Sequence, residues 1–81
     1  MAKTFHLTIA RIGENLFDGQ ALSVSLPGEE GMFEVLAGHE AFVTPLSKGT
    51  ARVTTEAGDK ETFDLEKGIA EVSNNQVTGL L

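Results

Sequence analysis

Nine glycines are spread evenly along the chain, and the stretches between them alternate apolar and polar residues with a period of two. Successive side chains of a strand point to opposite faces, so short alternating runs punctuated by glycine predict a small all-β sandwich or barrel. No window sustains apolar residues at helical spacing over three turns. The first run predicts Phe5, Leu7 and Ile9 in the core with Thr4, His6 and Thr8 outside. Asp18-Gly19 reads as the following turn. The second run predicts Leu22, Val24 and Leu26 inward and Ser23 and Ser25 outward. Phe33 and Val35 share a face of a third. A fourth spans Ala41 to Leu46, where Pro45 predicts an edge position or an early end because proline cannot donate to a ladder. Ala51, Val53 and Thr55, a loop holding Gly58-Asp59, and then Phe63 and Leu65 predict an antiparallel hairpin. Ile69 to Ser73, the turn Asn74-Asn75, and Gln76 to Leu81 predict a closing one.

Eighty-one residues make one domain with a thin margin of stability, since a chain this short leaves much of its surface unburied. Absence of cysteine excludes disulfides and thiolate metal sites, and His6 and His39 are the only imidazoles. A small, unstapled domain of this kind fits stabilisation by a partner. A formal charge of −6 argues against nucleic acid, which needs clustered Lys and Arg, and against adsorption to anionic lipid. The start passes directly into alternation, with no apolar run of the kind a signal peptide or membrane span needs. The expected location is therefore the cytosol, with any membrane association made through other proteins.

Residues that could carry chemistry have simpler readings beside them. His6 falls on an outward strand face, where a solvated histidine is ordinary. His39 follows Gly38 in a loop, without a recognisable partner to make it a base. Pro27-Gly28-Glu29-Glu30-Gly31 lacks the Lys-Ser/Thr of a phosphate loop and the ligand spacing of a calcium loop. It is either a solvated turn or an acidic contact for a basic partner loop. Ser23, Ser25, Ser47 and Ser73 have no nucleophile context. Glu61, Asp64, Glu66 and Glu71 decorate outer faces with nothing to split their acidities. The residues alone thus stop at an acidic all-β interaction domain.

The order of short motifs goes further. Leu16, Phe17 and Gly19 are followed by Leu26-Pro27-Gly28, Gly31 and Phe33, then by Val35, Leu36 and Gly38-His39. With the opening Thr4-Phe5-His6-Leu7, the segment Lys48-Gly49 to Arg52-Val53, and the ending Gly68-Ile69-Ala70-Glu71-Val72 to Asn75, Val77, Thr78 and Leu80, this string resembles the epsilon-subunit family of F-type ATP synthases. The likeness runs through essentially the whole chain. Glu34 stands where the family has a second glycine, Ala37 replaces a proline, Glu40-Ala41-Phe42 replaces Ala-Pro-Leu, and Lys67 replaces a glycine.

The resemblance implies a flattened antiparallel β-sandwich of about ten short strands, occupying residues 1–81, with no catalytic residue, cofactor or metal of its own. It implies a rotor role at the foot of the central stalk, coupling gamma to the c-ring for ion-driven ATP synthesis. The module would be cytoplasmic and peripheral on the inner face of the cell membrane through the F-type complex. Glu29, Glu30, Gly31 and Met32 match the family's ring-facing loop, and His39, Glu40 and Phe42 the segment near gamma. Isolated rim charges contribute only about 0–1 kcal/mol, so a strong anchor at either contact is expected to be apolar. Typical members continue into a two-helix hairpin that carries a regulatory brake and, in some, an ATP site; neither is expected within these residues. Three other readings predict different signatures. A sugar- or peptide-binding module would expose aromatics in a groove, a hydrolase would depend on His39 or a nearby acid, and an adaptor of another assembly would bring down different partners.

Overall fold

The computed structural model describes residues 3–38, 40–73 and 75–81. Eight strands follow one another: β1 (Phe5–Arg11), β2 (Glu14–Gly28), β3 (Gly31–Leu36), β4 (Phe42–Leu46), β5 (Gly49–Thr55), β6 (Lys60–Leu65), β7 (Gly68–Ser73) and β8 (Gln76–Leu80). The hydrogen-bonded order is β1-β8-β7-β4-β2-β5-β6, with β3 also on β2 and β1 closing back onto β2.

β2 determines the architecture. Its 15 residues would reach roughly 50 Å if straight, at about 3.3 Å per residue. The longest dimension of the domain is 34 Å, so β2 has to bend. It does so at a bulge between Ala21 and Ser23, where its ladder to β5 shifts register. Up to Ala21 it pairs with β1; from Ser23 onward it pairs with β3 and β5. One strand therefore belongs to both layers, and the sheet folds over itself. The inward faces meet in a core that includes Leu7, Ile9, Leu46, Val72 and Val77 from one side and Val24, Leu26, Val35, Val53 and Leu65 from the other.

The alternation of β1 appears as expected, with Phe5, Leu7 and Ile9 buried. The β5–β6 hairpin also has the expected register, Ala51 facing Phe63 and Gly49 facing Leu65. In β7–β8, Ser73 pairs with Gln76 and Asn75 adopts φ 58°; Asn74, the other half of the expected turn, lies outside the described residues.

Two local expectations are corrected. Asp18-Gly19 is not a turn: it lies inside β2, opposite Thr8 and Leu7. The chain reverses at Ile12-Gly13 instead, where Gly13 takes φ 80°, a region that a side chain at Cβ disfavours. Leu22 is not a core residue either; the bulge puts two residues of β2 against one of β5, so Ala21 is buried and Leu22 only half-buried.

Among the described residues the count is eight strands where about ten were expected, because β2 serves both layers without a break. One ladder, β1 with β8, is parallel. That geometry suits strands far apart in sequence, which no tight turn has to join.

β4 does not end early at Pro45 but runs through it to Leu46, with Pro45 opposite Ile69 of β7. Among the described residues it is nearly an edge strand, laddered along its length to β7 and meeting β2 at the pair Gly28–Leu46.

Candidate partner-binding surface

The acidic loop is a tight hairpin connection. Gly28 and Gly31 face each other as the last pair of β2 and β3, leaving Glu29 and Glu30 at the tip, both exposed. Gly31 has φ 128°, which explains the glycine there. Gly28 is glycine for a different reason. A Cβ at that position would lie 2.9 Å from the Gly31 carbonyl oxygen and 3.0 Å from the Phe33 ring.

The base of the turn is tied to the end of β4. The Glu29 amide donates to the Pro45 carbonyl at 3.3 Å, and the Ser47 amide donates to the Pro27 carbonyl at 2.8 Å. The Ser47 hydroxyl reaches the Pro27 and Gly28 carbonyls at 3.4 and 3.3 Å. The turn thus presents two carboxylates on an anchored backbone, a form that can set register with a cationic partner.

Beside the turn lies an open depression of about 400 Å³, lined by Glu30, Gly31, Met32, Phe33, Phe42 and Val43 among others. Of its lining residues, Phe33 and Phe42 form an edge-to-face pair, with ring centroids 5.7 Å apart and planes at 68°. Met32 and Val43 are 58% and 63% exposed, so apolar surface flanks the acidic tip, as a partner contact with an apolar anchor requires. Beyond Val43, Ile69 and Leu80 are exposed as well, paired with each other across β7 and β8.

The structure therefore brings together residues that the sequence assigned to two separate contacts. Glu30, Gly31 and Met32 from one group and Phe42 from the other line the same depression. Glu29 is at the tip and Glu40 is exposed at the entry to β4. His39 lies outside the described residues. Phe33 and Val43 were missed as surface residues. Inward alternation at Phe42, Thr44 and Leu46 leaves Val43 outward, so that signal was present.

His6, read as a solvated surface residue, has a partner. Its Nε2 lies 2.6 Å from Asp18 Oδ1, and Thr8 Oγ1 donates to the same carboxylate oxygen at 3.3 Å. This follows from Asp18 sitting in a strand, diagonally across from His6, rather than in a turn. Both side chains are about half exposed (42% and 51%), and such pairs contribute about 0–1 kcal/mol. His6→Ala is expected to lower stability by less than about 1 kcal/mol, read from the urea midpoint; a larger loss would mean the pair organises the β1–β2 ladder.

Among the described residues, no three His, Asp or Glu side chains gather as metal ligands, and no helix is long and apolar enough to cross a membrane.

A doubled-over β-sheet with an anchored acidic turn beside an apolar depression defines a small β-sandwich. Residues 4–80 match the family described as "ATP synthase, Delta/Epsilon chain, beta-sandwich domain", and the chain belongs to that family. It is 36% identical over 77 residues to an ATP synthase epsilon chain of Clostridium novyi (strain NT), covering 95% of this chain and 59% of that one. Among solved structures it superposes with TM-score 0.88 and 29% identity on a chain of the Euglena gracilis mitochondrial ATP synthase, an OSCP/F1/c-ring assembly, covering 95% of this chain and 49% of that chain. A chain of the Tetrahymena thermophila mitochondrial ATP synthase central stalk and c-ring matches with TM-score 0.76 at 16% identity, over 96% of this chain and 63% of the other, a likeness of fold alone. The chain thus spans about 59% of the length of the curated relative it matches.

Proposed function

We propose that this chain, with all 81 residues acting as one β-sandwich domain, is a non-catalytic central-stalk component of an F-type ATP synthase. It couples gamma to the c-ring so that ion-driven rotation reaches the catalytic head. The observation that carries this reading is the match along residues 4–80 to the delta/epsilon β-sandwich family. It is supported by the close superposition on a chain from an assembled F1/c-ring complex. In that role the module is cytoplasmic and peripheral on the inner face of the cell membrane, held there by the complex rather than by insertion. It needs no cofactor and no nucleic acid.

Glu29, Glu30, Gly31 and Met32 form the ring contact in this reading, and His39, Glu40 and Phe42 the gamma contact. The exposure of the acidic tip and its backbone anchoring support the first assignment. The apolar surface around Phe42 supports the second. Close-packed interiors deform little, so a sandwich between two partners transmits load rather than absorbing it.

The test is recovery of tagged chain from native membranes with identification of what accompanies it. Gamma, alpha, beta and c subunits are expected. The double charge reversal Glu29→Lys, Glu30→Lys is expected to weaken retention by about tenfold at low salt and less at high salt, since rim charges are screened. Retention insensitive to those changes would move the ring contact elsewhere. Absence of synthase subunits from a folded chain would overturn the rotor role and favour an adaptor of another assembly.

A further inference from the structure

We propose that the Phe33–Phe42 contact clamps the acidic turn to the 40–42 segment, making them one mechanical unit, and that Phe33 is the positioning residue. This rests on the rotor reading, in which the turn meets the ring and the segment meets gamma.

Among the described residues β3 and β4 form no ladder with each other. The β2–β3 hairpin reaches β4 at one end through backbone: the Gly28–Leu46 pair, the Glu29 amide on Pro45 and the Ser47 amide on Pro27. Each strand is laddered to its own neighbour, β3 to β2 and β4 to β7, so a second link between the hairpin and β4 has to come from side chains. It comes where the Phe42 ring at the start of β4 meets Phe33 edge to face.

Phe33 makes both links itself. Its ring fills the space that a side chain at Gly28 would take, 3.0 Å from that Cβ position, so it supports the turn from beneath. The same ring receives Phe42. The ring contact therefore adds a side-chain link to the backbone bonds at the base of the turn. Load applied at Glu29 and Glu30 then reaches the 40–42 segment through the rings and not only through the hydrogen bonds at the base.

The experiment compares the chain with Phe33→Ala, Phe33→Leu and Phe42→Ala by amide exchange, and then by rebinding to synthase-bearing membranes. Loss of an edge-to-face pair corresponds to about a three- to tenfold change in a local opening equilibrium. Exchange at the Glu29 amide, which donates to the Pro45 carbonyl, is expected to rise by that factor in Phe33→Ala and also in Phe42→Ala, with the Val53 amide in β5 unchanged. Phe33→Leu keeps apolar bulk above Gly28 but loses the ring that meets Phe42, so it is expected to recover only the part of the protection that comes from filling that space. In rebinding, Phe33→Ala is expected to lose about three- to tenfold in retention, and the charge reversal is expected to add less on that background than on the wild type.

Turn exchange unchanged in Phe42→Ala, or rising equally at Val53, would overturn the clamp. If Phe33→Ala fails to fold, Phe33→Leu and Phe42→Ala still decide the matter. If the clamp signature appears in exchange but charge reversal leaves wild-type retention unaffected, the clamp stands and the ring-facing assignment fails.

Discussion

Leu26→Ala is expected to destabilise the domain by about 2–5 kcal/mol, the range for emptying a fully buried leucine site. Leu26 has no exposed surface and lies opposite Phe33 in the β2–β3 ladder. Its neighbours are poorly placed to close the void. Pro27 has a fixed φ and is already pressed on Gly49, where an added Cβ would come within 2.7 Å of the proline ring. A domain of 81 residues is expected to have a total stability of about 4–12 kcal/mol, at roughly 0.05–0.15 kcal/mol per residue. The loss is thus a large share of the whole. Urea denaturation should show a lower midpoint with an unchanged slope. Leu36→Ala, at a site 53% exposed, should stay within about 0.5 kcal/mol. Equal effects at the two sites would contradict the burial pattern that defines the two layers.

Gly68→Ala is the second large effect, and its cause is space rather than backbone conformation. A Cβ at Gly68 would collide with the Leu80 carbonyl oxygen and come within 3.0 Å of Leu81 Cα. Every one of those atoms is backbone, so no side chain can rotate aside. Relief requires the ends of β7 and β8 to part, which strains the Ile69–Leu80 pair and the bond from the Leu81 amide to the Ala10 carbonyl at 2.9 Å. Overpacking of this kind costs about 1–3 kcal/mol and sometimes more, or roughly 5–20 °C in melting temperature for a domain of this size. Gly13→Ala is the contrast. Nothing lies within 4 Å of its Cβ position, but φ is 80°, so only about 1–2 kcal/mol of backbone strain is expected. Because only backbone faces the Gly68 Cβ position, its loss is expected at the upper end of the overpacking range, about 3 kcal/mol. Calorimetry checks both variants, and a Gly68→Ala loss below about 1 kcal/mol would rule out the steric account. The resemblance had placed Lys67-Gly68 where the family has two glycines. The structure gives the reason that the second of them is the demanding one.

The misreadings come from contacts that periodicity cannot see. Asp18-Gly19 has the composition of a turn, but its neighbours pair across β1, and ladder hydrogen bonds outweigh a dipeptide preference. Leu22 was placed inward by strict alternation; a one-residue bulge breaks the period and buries Ala21 instead. His6 looked unpartnered because its partner comes from a strand taken for a turn. The acidic tip was legible, since two glycines around two glutamates can form little else. Its neighbour Phe42 was not, because its association with Phe33 depends on how β4 lies beside a hairpin with which it forms no full ladder.

By itself the amino-acid order determined the class of fold, the inward faces of β1 and β5, the β5–β6 hairpin and the family. Each rests on a local period or a local motif, and the period of two holds wherever a strand is continuous. Only the tertiary structure decided that β2 bends at Ala21 to join both layers, that β1 lies parallel to β8, and that the turn at Glu29 and Glu30 shares a surface with Phe42. Those features arise from pairings between residues far apart in the chain. Their free energy comes from buried area and ladder hydrogen bonds that exist only once the sheet has closed on itself.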